Sequence, residues 1–147
     1  MYNYDIKIKE AYLERITSQE DLKFIALNEE NVDIRLEAVK KLTDQTILRE
    51  VALNDKNKFV RCVAISLLTD VDLKKEIALN DKEGTIRSKT LVDLVDILDQ
   101  ETLKSIALKD EDLLVEIIAR LSKDKIRELK TDNWYIKAIC KDILENQ

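Results

Sequence analysis

Val51-Ala52-Leu53-Asn54-Asp55, followed by Arg61 and then by Leu68-Thr69-Asp70, is the stretch that decides the fold, because the chain repeats it on both sides. Ile25-Ala26-Leu27 stands 26 positions before Val51-Ala52-Leu53, and Ile77-Ala78-Leu79 stands 26 after it. Leu42-Thr43-Asp44 precedes Leu68-Thr69-Asp70 by the same step, Ile16-Thr17 precedes Leu42-Thr43, and Arg35, Arg61 and Arg87 keep it too. A fourth copy, Ile106-Ala107-Leu108, follows Ile77 by 29, so the third repeat carries about one extra helical turn. A fifth, decayed copy runs through Ile126, Leu129, Ile136, Ile139 and Ile143. A fixed period of this length marks one supersecondary unit used again and again.

Each copy reads as two helices. Leu48, Val51 and Ala52 fall on one face of a short first helix, and Val60, Ala64, Leu67 and Leu68 form the buried stripe of a second. Ile34, Ala38 and Leu42 match that stripe one repeat earlier. Thr43 is the expected N-cap of one first helix, Thr17 with Glu20 makes a capping-box pattern, and Asn57 caps a second helix. Asn28, Asn54 and Asn80 follow the last apolar residue of their first helices, where a left-handed residue closes a helix and Asn tolerates that conformation. Alanines 26, 52, 78 and 107 are small enough to let neighbouring helices approach. Connections of three or four residues make the paired helices antiparallel neighbours. The segment from Asp5 to Ile16 reads as a lone second helix with Ile8, Tyr12 and Ile16 inward. The expected architecture is therefore all-α. Eleven helices alternate through about five hairpins in one domain over residues 1–147, with repeats at 1–16 (a half repeat), 17–42, 43–68, 69–97, 98–121 and 122–147. None of these helices could bury its apolar face alone, so stability comes from stacking.

Composition supports the same reading. The chain is 45% apolar and 37% charged, with no proline and a single glycine, Gly84. Strands and tight hairpins need those punctuators, and Asn/Asp turns between helices do not. The net charge of −5 argues against a general nucleic-acid binder. No apolar run reaches the roughly 18 residues of a membrane span, and the start lacks the apolar core of a secretory signal. Two cysteines, Cys62 and Cys140, are too few for a disulfide framework, so the cytoplasm is the expected compartment.

Leu-Thr-Asp, then Ile/Val-Ala-Leu-Asn-Asp, then Val-Arg resembles HEAT repeats, including the short variety of bilin-lyase-related bacterial proteins. The likeness covers about Asp5 to Leu144. It implies a short right-handed α-α superhelix, an armadillo-like helical array whose second helices line a concave side. It also implies an Asp in each inter-helix turn and an Arg six residues later, forming a ladder between neighbouring repeats. Asp55 precedes Arg61 and Asp81 precedes Arg87 by that spacing, Glu29 stands in for the acid before Arg35, and Asp110 is followed by Glu116, where the cation is missing. The role this implies for Glu29, Arg35, Asp55, Arg61, Asp81 and Arg87 is structural.

Chemistry finds little footing. The chain has no histidine, which removes the usual general base and the commonest zinc ligand. One glycine leaves no phosphate-cradling loop. No catalytic residue, metal site, cofactor or small-molecule substrate is expected. Cys62 and Cys140 lie on second helices three repeats apart, beyond disulfide reach, and read as half-buried thiols. Asp93, Asp96 and Asp99 fall at three-residue spacing on one helix flank, with Asp70 and Asp72 nearby in sequence, and read as a solvated face.

What remains is a surface. Leu36, Lys40, Phe59, Cys62, Ser66, Lys89, Asp93 and Ile117 point away from the buried stripes of second helices and are the expected contact residues. Phe59 and Tyr135 occupy equivalent positions, with Trp134 beside them, either as partner anchors or covering the open end of the stack. Mixed signs and scattered apolar residues suit a protein or peptide partner, and the chain is expected to be a non-catalytic scaffold. Two alternatives stay open: nucleic-acid binding, and a lyase-type or chaperoning role on a tetrapyrrole, which the resemblance alone implies.

Overall fold

The computed structural model describes residues 2–146, with side chains described outside residues 2–6, 10, 111, 112 and 116. Among the described residues the chain is helical throughout, without strands, and its eleven helices fall in two compact units. The first unit, Met1–Asp70, holds α1 (Tyr2–Arg15), α2 (Gln19–Asn28), α3 (Val32–Lys40), α4 (Gln45–Asn54) and α5 (Lys58–Leu67). The second, Val71–Gln147, holds α6 (Val71–Asn80), α7 (Gly84–Leu94), α8 (Gln100–Lys109), α9 (Glu111–Ile118), α10 (Lys123–Glu128) and α11 (Trp134–Glu145). No helix among the described residues is long and apolar enough to cross a membrane.

Within the first unit, α2 pairs with α3 and α4 with α5; α1, α3 and α5 form one layer and α2 and α4 the other. Within the second unit, α6 pairs with α7, α8 with α9 and α10 with α11; α7, α9 and α11 make one layer, and α8 lies against α10 in the other. Each unit is thus a file of hairpins in which a helix touches its partner and its neighbours in line. Ala26, Ala52, Ala78 and Ala107 are all buried where the hairpins close.

The caps differ in detail from the sequence reading. Asp44, not Thr43, caps α4, since one carboxylate oxygen accepts from both Thr46 N (2.8 Å) and Ile47 N (3.2 Å). Ser18, not Thr17, caps α2, its Oγ accepting from Asp21 N. Asn57 caps α5, as Asn31 caps α3 and Asn133 caps α11. No described residue adopts a left-handed backbone, so Asn28, Asn54 and Asn80 are not left-handed stops. They end their helices in helical geometry, and after α2 and α4 the chain leaves through an extended residue, Glu29 or Asp55, whose N–H still bonds the last turn. Asn28 instead donates from Nδ2 to the Phe24 carbonyl.

Counting from each second helix's cap shows how the core is filled. The third residue after the cap is buried every time, as Ile34, Val60, Ile86, Leu113 and Ile136. The seventh and eighth are Ala38 and Val39, Ala64 and Ile65, Thr90 and Leu91, and Ile117 and Ile118, all buried. The eleventh is Leu42, Leu68, Leu94 or Leu121, buried as well. Helix α1 breaks the rule on one side. Ile8 (52% exposed) and Tyr12 (67%) stand in register with Ile34 and Ala38 yet face outward, contrary to expectation, whereas Leu13 and Ile16 are buried. Among the described residues α1 packs against α3, and Leu13 and Ile16 are its covered apolar residues.

Candidate functional site

The inter-helix turns carry the most regular polar structure. Arg35 is 3% exposed, and its Nε and Nη2 donate to the two Asp55 carboxylate oxygens at 3.0 and 3.2 Å. Its Nη1 donates to the carbonyls of Glu29 and Glu30. A guanidinium is the one side chain that can grip a planar carboxylate from the next turn while closing its own turn. In the second unit Arg87 Nε donates to Asp110 at 2.6 Å and its Nη1 to the Asp81 carbonyl at 2.8 Å. Arg61 Nη1 donates to the Asp55 carbonyl, six residues back, at 2.9 Å. The turn acids also accept backbone amides, Asn31 N on Glu29, Asn57 N on Asp55 and Glu83 N on Asp81. Gly84 belongs to this arrangement, since a Cβ there would meet the Arg87 guanidinium at 3.3 Å.

One rung escaped the sequence reading. Lys9, one 26-residue step before Arg35, pairs with Glu29 at 3.1 Å, and the signal for it was the same recurrence. The Asn31 amide, then Lys9, hold the Glu29 carboxyl below its usual range. Where the ladder lapses, the residue at the arginine position is Leu114 and not Glu116, whose side chain lies outside those described. A single residue, Asp110, joins α8 to α9, while three residues join the earlier pairs, so the register shifts by two.

That shift also corrects the expected contact surface. Ile117 is not exposed but 0% accessible, standing where Ala64 stands in α5. The other expected contacts sit near or on the surface. In the first unit Leu36 and Cys62 are half-buried, and Lys40, Ser66 and Phe59 (61%) are exposed on α3 and α5. In the second unit Lys89 and Asp93 are exposed on α7, and Trp134 (77%) and Tyr135 (51%) open α11. Phe59 lies beneath the Lys58 ammonium, 5.6 Å from its ring centre. Trp134 meets Tyr135 edge-on at 5.9 Å between centroids. That exposure leaves both aromatic side chains mostly in solvent, not folded down over a core.

A second clamp was missed altogether. Gln19 donates to the Lys41 carbonyl and accepts from Thr43 N, and Gln45 repeats this on Leu67 and Thr69. Gln100 does the same on Arg120 and Ser122. Each glutamine opens a first helix and ties down the linker leading out of its hairpin. The third repeat has Val71 at this position, and the linker that Val71 would face by register is the one with three extra residues.

The remaining candidates dissolve into structural roles. Asp99 is the N-cap of α8, held to Thr102, and not part of a helix flank with Asp93 and Asp96; Asp96 faces Arg120 at 3.5 Å. Among the described residues no cluster of three or more His, Cys, Asp or Glu could hold a metal. Cys62 and Cys140 are free and half-buried, and burial pushes the Cys140 thiol up, away from the thiolate that a reactive cysteine needs. No protein-family model, curated protein or solved structure matches this chain.

Proposed function

We propose that this chain is a HEAT-like repeat protein that holds a protein or peptide partner on the outward face of its second helices and carries out no chemistry itself. The observation that carries this reading is Phe59. A large apolar ring stands 61% exposed directly before two buried residues, Val60 and Arg61. Leu36, Cys62, Lys40 and Ser66 extend the same side of α3 and α5 with apolar and polar groups intermixed. An exposed aromatic on a side that mixes apolar and polar groups is the composition of a contact anchor. The guanidinium ladder and the paired, filed helices support the HEAT-like part of the proposal.

Site-specific photo-crosslinking tests it. A photoreactive phenylalanine at position 59 should trap one discrete adduct in cells, and the same residue at Glu50, exposed on first helix α4, should trap none. Equal labelling at both positions, or none at 59, would remove the second-helix face as the binding surface.

A further inference from the structure

A groove of about 580 Å³ lies along α7 in the second unit. Glu83, Gly84, Thr85, Ser88, Lys89 and Val92 line it, and Val92, 50% exposed, is its apolar member. Register relates this groove to Phe59. Thr85 is the second residue after the cap of α7, as Phe59 is in α5, and Ser88 stands where Cys62 stands. One second helix therefore carries an exposed ring at the position where the other carries a hydroxyl beside a hollow.

The charges at the two places are uncommitted and of opposite order. Lys58 stands over the Phe59 ring, and Asp33 holds the same register position on the neighbouring helix α3. At the groove, Glu83 is the N-cap residue of α7 but its carboxylate makes no capping bond, and Lys89 is exposed. Among the described residues none of these four side chains has an ion-pair partner. Elsewhere on α3 the charges are spent, since Glu37 and Lys40 pair with each other at 2.5 Å. A ring with a free cation beside it, and a hollow with a free carboxylate beside it, are complementary in shape and in sign. One sequence carries both.

We propose that the partner of the Phe59 face is a second copy of this chain, whose α7 groove receives the ring. This rests on the second-helix face being the contact surface and adds what covers it. Phe59 would lie against Thr85, Ser88 and Val92 of the second copy, as an aromatic anchor in a recess. Lys58 would meet the Glu83 carboxylate of that copy, and Asp33 its Lys89 ammonium. Such pairs fix the register of a contact more than they add to its strength.

Sedimentation of the purified full chain over a micromolar to millimolar series tests this. Expected is concentration-dependent self-association, weakened roughly tenfold or more in Phe59→Ala, in K58E and in E83K. Circular dichroism of each variant should match the parent, because none of the three side chains belongs to the buried core. Mixing the K58E and E83K chains should restore association, since each reversed charge then faces its opposite. A photoreactive phenylalanine at position 59 should give an adduct of two chain masses, joined at Thr85, Ser88 or Val92. A monomer at every concentration overturns the proposal, as does undiminished association of the variants or a mixture that fails to recover. Capture of a different protein at position 59 by a chain that stays monomeric overturns self-pairing and leaves the second-helix face standing. No adduct at position 59 removes both.

Discussion

Helices α3 and α11 carry the same plan and meet different surroundings. Both begin at an asparagine cap and bury an isoleucine three residues later, Ile34 in one and Ile136 in the other. Beyond that point they part. Helix α3 lies between α1 and α5 within its unit and buries Arg35, Ala38 and Val39, whereas the longer α11, beside α9 and α10, buries Ile136 alone of its twelve residues. A cation at the fourth position is a structural member only when the next turn places a carboxylate against it in a water-poor setting. Without that, it is a surface charge available to something else.

The comparison breaks most directly at the rung itself. Arg35→Ala strands the buried Asp55 carboxylate, whose side chain is 7% exposed, and should cost about 3–5 kcal/mol by urea denaturation. Lys137→Ala, at the equivalent position of α11, should change stability by no more than about 0.5 kcal/mol. Similar losses for the two would mean that register, and not burial, sets the value of a rung.

A smaller effect is expected from the glutamine clamp. Gln45→Ala leaves the Leu67 carbonyl and Thr69 amide to water near the surface, and about 1 kcal/mol should be lost. Gln100→Ala should cost a similar amount in the second unit, on the Arg120 carbonyl and Ser122 amide. A clamp whose removal costs nothing in either unit would reduce it to surface decoration.

The smallest effect concerns the outermost rung. The Asn31 amide and Lys9 depress the folded-state pKa of Glu29 below its usual 4.5, so the carboxylate contributes stability fully above pH 4.5. That contribution drains as pH falls below 4.5 toward the folded-state value, because the unfolded chain takes up the proton first. Glu29→Gln should therefore flatten part of the decline in unfolding midpoint below pH 4.5 and leave the slope at neutral pH unchanged. A pH series of thermal melts on the two proteins decides it.

Much of this was readable in the chain. The 26-residue step located the helices, their pairing and the buried leucines, because a repeated apolar stripe can be covered only by helices in a repeated arrangement. The same step held an unread signal for Lys9, Gln19 and Gln45, which stand at 26-residue intervals from Arg35 and from each other. Other features were hidden by local competition. Thr43 and Asp44 are both good caps on paper, and spacing along the chain does not choose between them; in the fold the linker amides of both are held by Gln19, 24 and 25 positions away, and Asp44 is the cap. Ile117 looked outward because a turn of constant length was assumed, and a connection of one residue rotated it into the core.

The sequence by itself determined that the chain is helical, how often the helices recur and which residue types must be hidden, because these follow from spacing along one chain. Only the tertiary structure decided which hidden positions are covered. Ile8, Tyr12, Cys140 and Leu144 have the register of core residues and lie outward or half-covered, since burial depends on a neighbouring helix that spacing cannot supply.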